Sequence, residues 1–97
     1  MTIWFVSRHP GAIEWAARHG VHFDRQVAHL ESEDVKSGDT VIGSLPVHLA
    51  AQVCERAAHL CNLSIDLPAG ARGRELSADD LEAYNARLET YSVERIG

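Results

Sequence analysis

Ile3-Trp4-Phe5-Val6-Ser7-Arg8-His9-Pro10-Gly11 is the stretch that decides the fold class. Its first four residues are apolar, aromatic or β-branched and show no alternation with polar ones, which predicts a strand covered on both faces at the centre of a parallel sheet. Ser7 to Gly11 interrupts the run with turn-forming residues. Ala12 to His19 then has the composition of a short helix stopped by Gly20. A strand, a loop and a helix in that order are the first half of a βαβ unit.

Outward from this unit, Gln26 to Leu30 is a second strand, followed by the polar stretch Glu31 to Asp39 with a turn at Ser37-Gly38-Asp39. Thr40 to Gly43 is a third strand. Pro46 suits the first position of a helix, where its missing N–H costs nothing, and Val47 to Leu60 carries a broad apolar face. Leu63 to Leu67 is a fourth strand, ended by Pro68 and a loop bearing Gly70, Arg72, Gly73 and Arg74. Ser77 with Asp80 three residues on is an N-cap, Leu76 and Leu81 are spaced as a hydrophobic staple, and Leu81, Tyr84, Leu88 and Tyr91 fall on one face of a last helix. The expected architecture is a single small Rossmann-like α/β domain over residues 1–97, with a mostly parallel four-stranded sheet and three helices. In such sheets ligands bind beyond the carboxyl ends of the strands, which gathers Ser7 to Gly11, His29, Gly43 to His48 and Asp66 to Arg74 on one rim.

Composition narrows the ligand. The 97 residues are 45% apolar and 24% charged, ordinary globular values, and the formal charge is −5. Non-specific adhesion to duplex nucleic acid or to an anionic membrane relies on surplus Lys and Arg, so neither is an expected partner and any anion site must be local. The opening apolar run is too short for a membrane span and lacks a basic leader, so the expected location is the cytoplasm. Cys54 and Cys61 match no metal or redox spacing and are expected to be buried thiols.

Two loops carry the chemistry. In Ser7-Arg8-His9-Pro10-Gly11, a hydroxyl, a guanidinium and the N–H groups of a helix start could converge on a phosphate; the plainer alternative is a capped turn with Arg8 in solvent. Gly43-Ser44-Leu45-Pro46-Val47-His48 repeats the arrangement, with a glycine for close approach and a hydroxyl ahead of a helix. Ser44 is not flanked by the G-x-S-x-G elbow of an acyl-transfer nucleophile. Arg72 and Arg74 could bring charge to a second phosphate, or simply lie in a solvated connection. His9, His29 and His48 lack metal-ligand spacing, so no metal and no cofactor is expected. Arg8-His9 also opens the histidine-phosphatase motif, but Pro10 stands where that motif has glycine and the chain is too short for its scaffold.

Three separated motifs occur in order: Ser7 to Trp15, Gly38 to Ala50, and Leu67-Pro68 with Arg72-Gly73-Arg74-Glu75-Leu76-Ser77. Together they resemble a small accessory family of type III CRISPR loci, over about residues 2–90. The resemblance implies kinship with sensor domains that bind cyclic oligoadenylate, and a metal-independent ring nuclease, usually a homodimer, that linearises cyclic tetra-adenylate and ends the antiviral signal. On that implication Arg8 faces the phosphorane charge, His9 or His48 transfers protons, and Ser7 and Ser44 bond phosphate or ribose. Pro10, Gly11, Gly43 and Leu45 shape the binding loops, and Arg72 and Arg74 clamp the ligand. A module that sequesters the ring uncut would share every recognition residue, whereas a nucleotide-independent protein that docks on a larger CRISPR complex would do so through its helical faces.

Overall fold

In the computed structural model, which describes all 97 residues, the apolar opening becomes β1 (Ile3–Val6) and the residues after its loop become α1 (Pro10–Arg18). The chain continues through β2 (Arg25–Val27), a 3-10 turn (Ser32–Asp34), β3 (Thr40–Gly43), α2 (Val47–Glu55), β4 (His59–Ser64), a second 3-10 turn (Ala69–Ala71), α3 (Ala78–Ala83) and β5 (Arg87–Tyr91). The product is a small compact α/β domain whose sheet has the order β2-β1-β3-β4-β5. All pairings are parallel except β4 with β5, which run antiparallel.

Alternate residues of β1 serve opposite layers, as strand geometry requires. Trp4 packs with Val35, Val41, Val53 and Leu60 beneath α2, while Phe5 packs with Trp15, Ala16, Ile42 and Leu81 beneath α1 and α3. Helices thus cover both faces, and the uninterrupted apolar strand is explained by burial on each side. Trp4 and Trp15 are both core residues.

The sheet has five strands rather than the four expected, and two boundaries explain the difference. The expected helix Val47 to Leu60 stops at Glu55, because Ala57 takes a left-handed φ of 59° and its carbonyl accepts from the Gly38 N–H. His59 to Ser64 then pairs along β3, so the fourth strand begins four residues earlier than expected and ends before Leu67. The last helix ends at Ala83, with Asn85 at φ 57°, and Arg87–Tyr91 returns as an antiparallel edge strand instead of continuing the helix. Tyr84, Leu88 and Tyr91 therefore do not share a helical face with Leu81. The second strand is also short: only Arg25–Val27 pairs with β1, and Leu30 is buried from the following loop.

Candidate functional site

Strand order creates the crevice. From β1 the chain crosses by α1 to β2 on one side, then passes back beyond β1 to β3, and moves on by α2 to β4. The loops leaving β1 and β3 therefore depart to opposite faces from adjacent strand ends, the place where open α/β sheets bind ligands. Val6 pairs with Gly43, so the two loops start level with each other. Between them opens a cavity of about 490 Å³ whose wall includes Ser7, Arg8, His9, Ser44, Leu45 and Arg74. Arg74, at the end of the loop that follows β4, and the turn after β3, far apart in sequence, meet here.

The electrostatics of this edge are set by what is missing as well as by what is present. Neither α1 nor α2 has a side-chain cap or an acidic residue in its first turn, so both keep a positive dipole end; α2 leaves the N–H groups of Val47, His48 and Leu49 free, whereas α1 opens on Pro10, which has none, and its Ala12 N–H donates to the His9 carbonyl. α3 differs, since Ser77 and Asp80 form a reciprocal capping box and Asp79 and Asp80 occupy its first turn. Arg8 is exposed and pairs with no carboxylate, whereas Arg18 and Arg87 are held by Asp79 and Asp66. An acidic protein thus carries one unpaired guanidinium beside two uncapped helix starts.

Each nominated residue has a definite place. The Ser7 hydroxyl accepts from the His9 N–H at 3.1 Å, and the Ser7 N–H donates to Val27 at 2.9 Å, which pins the loop to β2. The Ser44 hydroxyl donates to the Leu63 carbonyl at 2.7 Å, leaving its lone pairs for a ligand. Arg74 donates to the Tyr84 hydroxyl at 2.8 Å and lies 3.5 Å from Asp80, and these partners raise its pKa, the Tyr84 bond foremost. It is a fixed wall rather than a mobile clamp. His29 joins the wall from the β2 side, and Leu49, Leu63 and Leu76 supply apolar surface.

Other nominated residues stand outside the wall. His48 is exposed on α2, Arg72 is exposed beyond the second 3-10 turn, and Pro10 is the first residue of α1. The two glycines serve packing. A Cβ on Gly11 would lie 2.1 Å from the Leu76 carbonyl oxygen, and one on Gly43 would lie 2.6 Å from that of Val6. Gly43 also holds a φ of 153°. Both are buried against neighbouring backbone, so their smallness lets elements close up rather than letting a ligand approach.

One wall residue was not singled out from sequence. Glu75 places its carboxylate 2.9 and 3.1 Å from the His9 Nδ1. The two positions are 66 residues apart, and no local spacing signals the pair. No three His, Cys, Asp or Glu side chains gather as a metal-binding group, and no helix is long and apolar enough to cross a membrane.

No curated protein and no solved structure matches the chain. A family described as "Putative CRISPR-associated protein (Cas_VVA1548)" matches residues 4–94, a span that takes in all five strands except Ile3 of β1, and every residue of the cavity wall. The chain belongs to this family of CRISPR-associated proteins.

Proposed function

We propose that the protein is a metal-independent ring nuclease of type III CRISPR signalling, which binds a cyclic oligoadenylate, cyclic tetra-adenylate foremost, and opens it. The observation that carries the reading is the meeting of Ser7-Arg8-His9 and Ser44-Leu45 on one cavity, with Arg8 unpaired and two uncapped helix starts alongside. Such a donor set suits a phosphodiester, and the apolar remainder of the wall suits a base. Membership in a CRISPR-associated family and a mostly parallel sheet of order β2-β1-β3-β4-β5 fit the same reading.

RNA carries its own nucleophile. The ribose 2′-oxygen attacks the adjacent phosphorus, the bond from phosphorus to the 5′-oxygen breaks, and a 2′,3′-cyclic phosphate and a 5′-hydroxyl result. The 2′-hydroxyl proton passes to a base, and the leaving 5′-oxygen takes one from water. The protein's task is to hold the ribose in line and stabilise charge on the phosphorane, the role of Arg8 and the backbone N–H groups. His9 is the proton acceptor, preferred over His48 because it lies on the cavity wall. A two-fold dimer would set two such edges around one symmetric ring of phosphates, which lets a protein of charge −5 hold RNA-like material.

The test is incubation of the purified protein with cyclic tri-, tetra- and hexa-adenylate in EDTA, followed by chromatography of the products. Linear species ending in a 2′,3′-cyclic phosphate are expected. Rings recovered intact after denaturation would overturn nuclease activity in favour of sequestration, and rings never bound would overturn the ligand.

A further inference from the structure

His9 and Glu75 form a pair whose geometry restricts the imidazole. A carboxylate offers acceptors only, and both of its oxygens address one ring nitrogen, at 2.9 and 3.1 Å. Nδ1 must therefore carry the hydrogen, and the neutral ring has its free lone pair on Nε2. Free histidine prefers the opposite tautomer, so the partner decides which nitrogen can act as a base.

The backbone around the pair is arranged to keep it in place. His9 is the residue before α1, and its carbonyl accepts from the N–H groups of Ala12 and Ile13. Two residues on, Gly11 lies against the carbonyl of Leu76, the neighbour of Glu75. On the other side, Ser77 and Asp80 lock the start of α3, and Arg74 is tied to Tyr84 and Asp80. Glu75 is thus held between two fixed residues, at a contact between α1 and the entrance to α3 too close for any side chain at position 11. In the free protein the pair stays more than half exposed, 52% for His9 and 61% for Glu75, so a ligand entering the cavity would strip its water and strengthen the bond.

We propose that Glu75 is a positioning residue that fixes His9 as the Nδ1–H tautomer, so that Nε2 takes the 2′-hydroxyl proton and the imidazolium formed is stabilised by the carboxylate. The inference rests on the ring-nuclease reading for its catalytic part. Its structural part stands alone and is measured separately.

The experiment uses the full chain and the variants Glu75→Ala, Glu75→Gln and His9→Ala. Long-range proton–nitrogen NMR of the histidine rings, above their titration, is expected to show His9 protonated at Nδ1 in the wild type and in Glu75→Gln, whose amide oxygen still accepts. Glu75→Ala is expected to revert to the Nε2–H form. With cyclic tetra-adenylate, Glu75→Ala is expected to lower kcat about 10- to 100-fold with little change in KM. Glu75→Gln should recover part of that loss, and a variant combining Glu75→Ala with His9→Ala should be no slower than His9→Ala alone. An unchanged tautomer in Glu75→Ala, or a loss that adds in full to that of His9→Ala, overturns the proposal. Intact rings from the wild type would instead remove the nuclease reading, while the tautomer still decides whether Glu75 governs His9.

Discussion

Asp39 anchors the chain beneath the central strands, and replacing it with asparagine is expected to be among the most costly single changes in the protein. It is the one buried polar or charged side chain, 2% exposed, and its carboxylate accepts from the Thr2 N–H at 2.8 Å, the Lys36 N–H at 2.9 Å and the Trp4 Nε1–H at 3.2 Å. The bonds from the Thr2 and Lys36 backbones, more than the indole bond, hold its pKa below the usual aspartate value against the opposing effect of burial. Asparagine keeps the shape but turns an NH₂ group toward at least one of these donors. Bonds to a charged acceptor contribute about 1.5–3 kcal/mol each, but Thr2 is only half-buried and Lys36 is exposed, so their N–H groups regain water and a total of about 3 kcal/mol is expected. For a chain of this length that lowers Tm by about 12–24 °C. The sign with pH follows from the direction of the shift. A group whose folded pKa is depressed stabilises above its unfolded value of about 3.9, and that stability is lost as pH falls through the folded value. The gap between wild type and Asp39→Asn, measured by urea unfolding, should be full at neutral pH and close in strong acid. Equal midpoints at neutral pH, or a gap that does not change with pH, would refute the reasoning.

Gly11→Ala should destabilise the fold by about 1–3 kcal/mol in thermal unfolding, because its Cβ must displace the Leu76 carbonyl, and should move the His9 ring signals as the Glu75 contact opens. Ser77→Ala removes half of the capping box and should cost about 1 kcal/mol in the same assay without altering ligand affinity. Burial pushes the Cys61 thiol up, so the folded protein should alkylate at Cys61 far more slowly than the urea-unfolded chain, as mass spectrometry of timed samples would show.

The elements readable in advance were those whose signals are local. The unbroken apolar run of β1, the Gly20 stop at φ 63° and the Ser77-Asp80 box each act within a few residues, and each appears where the sequence places it. The misplaced boundaries have a different cause. Nothing around Ala57 announces a helix end, since alanine is a good helix former; the chain leaves the helix so that Leu60 and Cys61 can pair with Val41 and Ile42. Leu81, Tyr84, Leu88 and Tyr91 keep helical spacing, yet β4 offers an unpaired edge and Leu88 reaches the core from a strand instead. Asn85 was the available hint, as asparagine tolerates a left-handed φ.

The same division holds for the site. Ser7, Arg8, His9, Ser44 and Leu45 were legible because strand-end loops before helices identify themselves, and the structure brings them to one cavity. Gly11 and Gly43 were legible as necessary glycines but not as packing ones, because the carbonyls they accommodate belong to distant segments. Glu75 was hidden for the same reason, its partner lying at the other end of the chain.

The central claim is that this cavity binds a phosphodiester ring through Arg8. Its most direct test is equilibrium binding of labelled cyclic tetra-adenylate, at fixed ionic strength in EDTA, to the wild type and to Arg8→Ala. Because Arg8 is exposed and makes no ion pair, its loss should leave the fold intact. The account predicts saturable binding by the wild type and at least a roughly tenfold weaker Kd for the variant. Equal affinities with both proteins folded, or no binding by either, would contradict it.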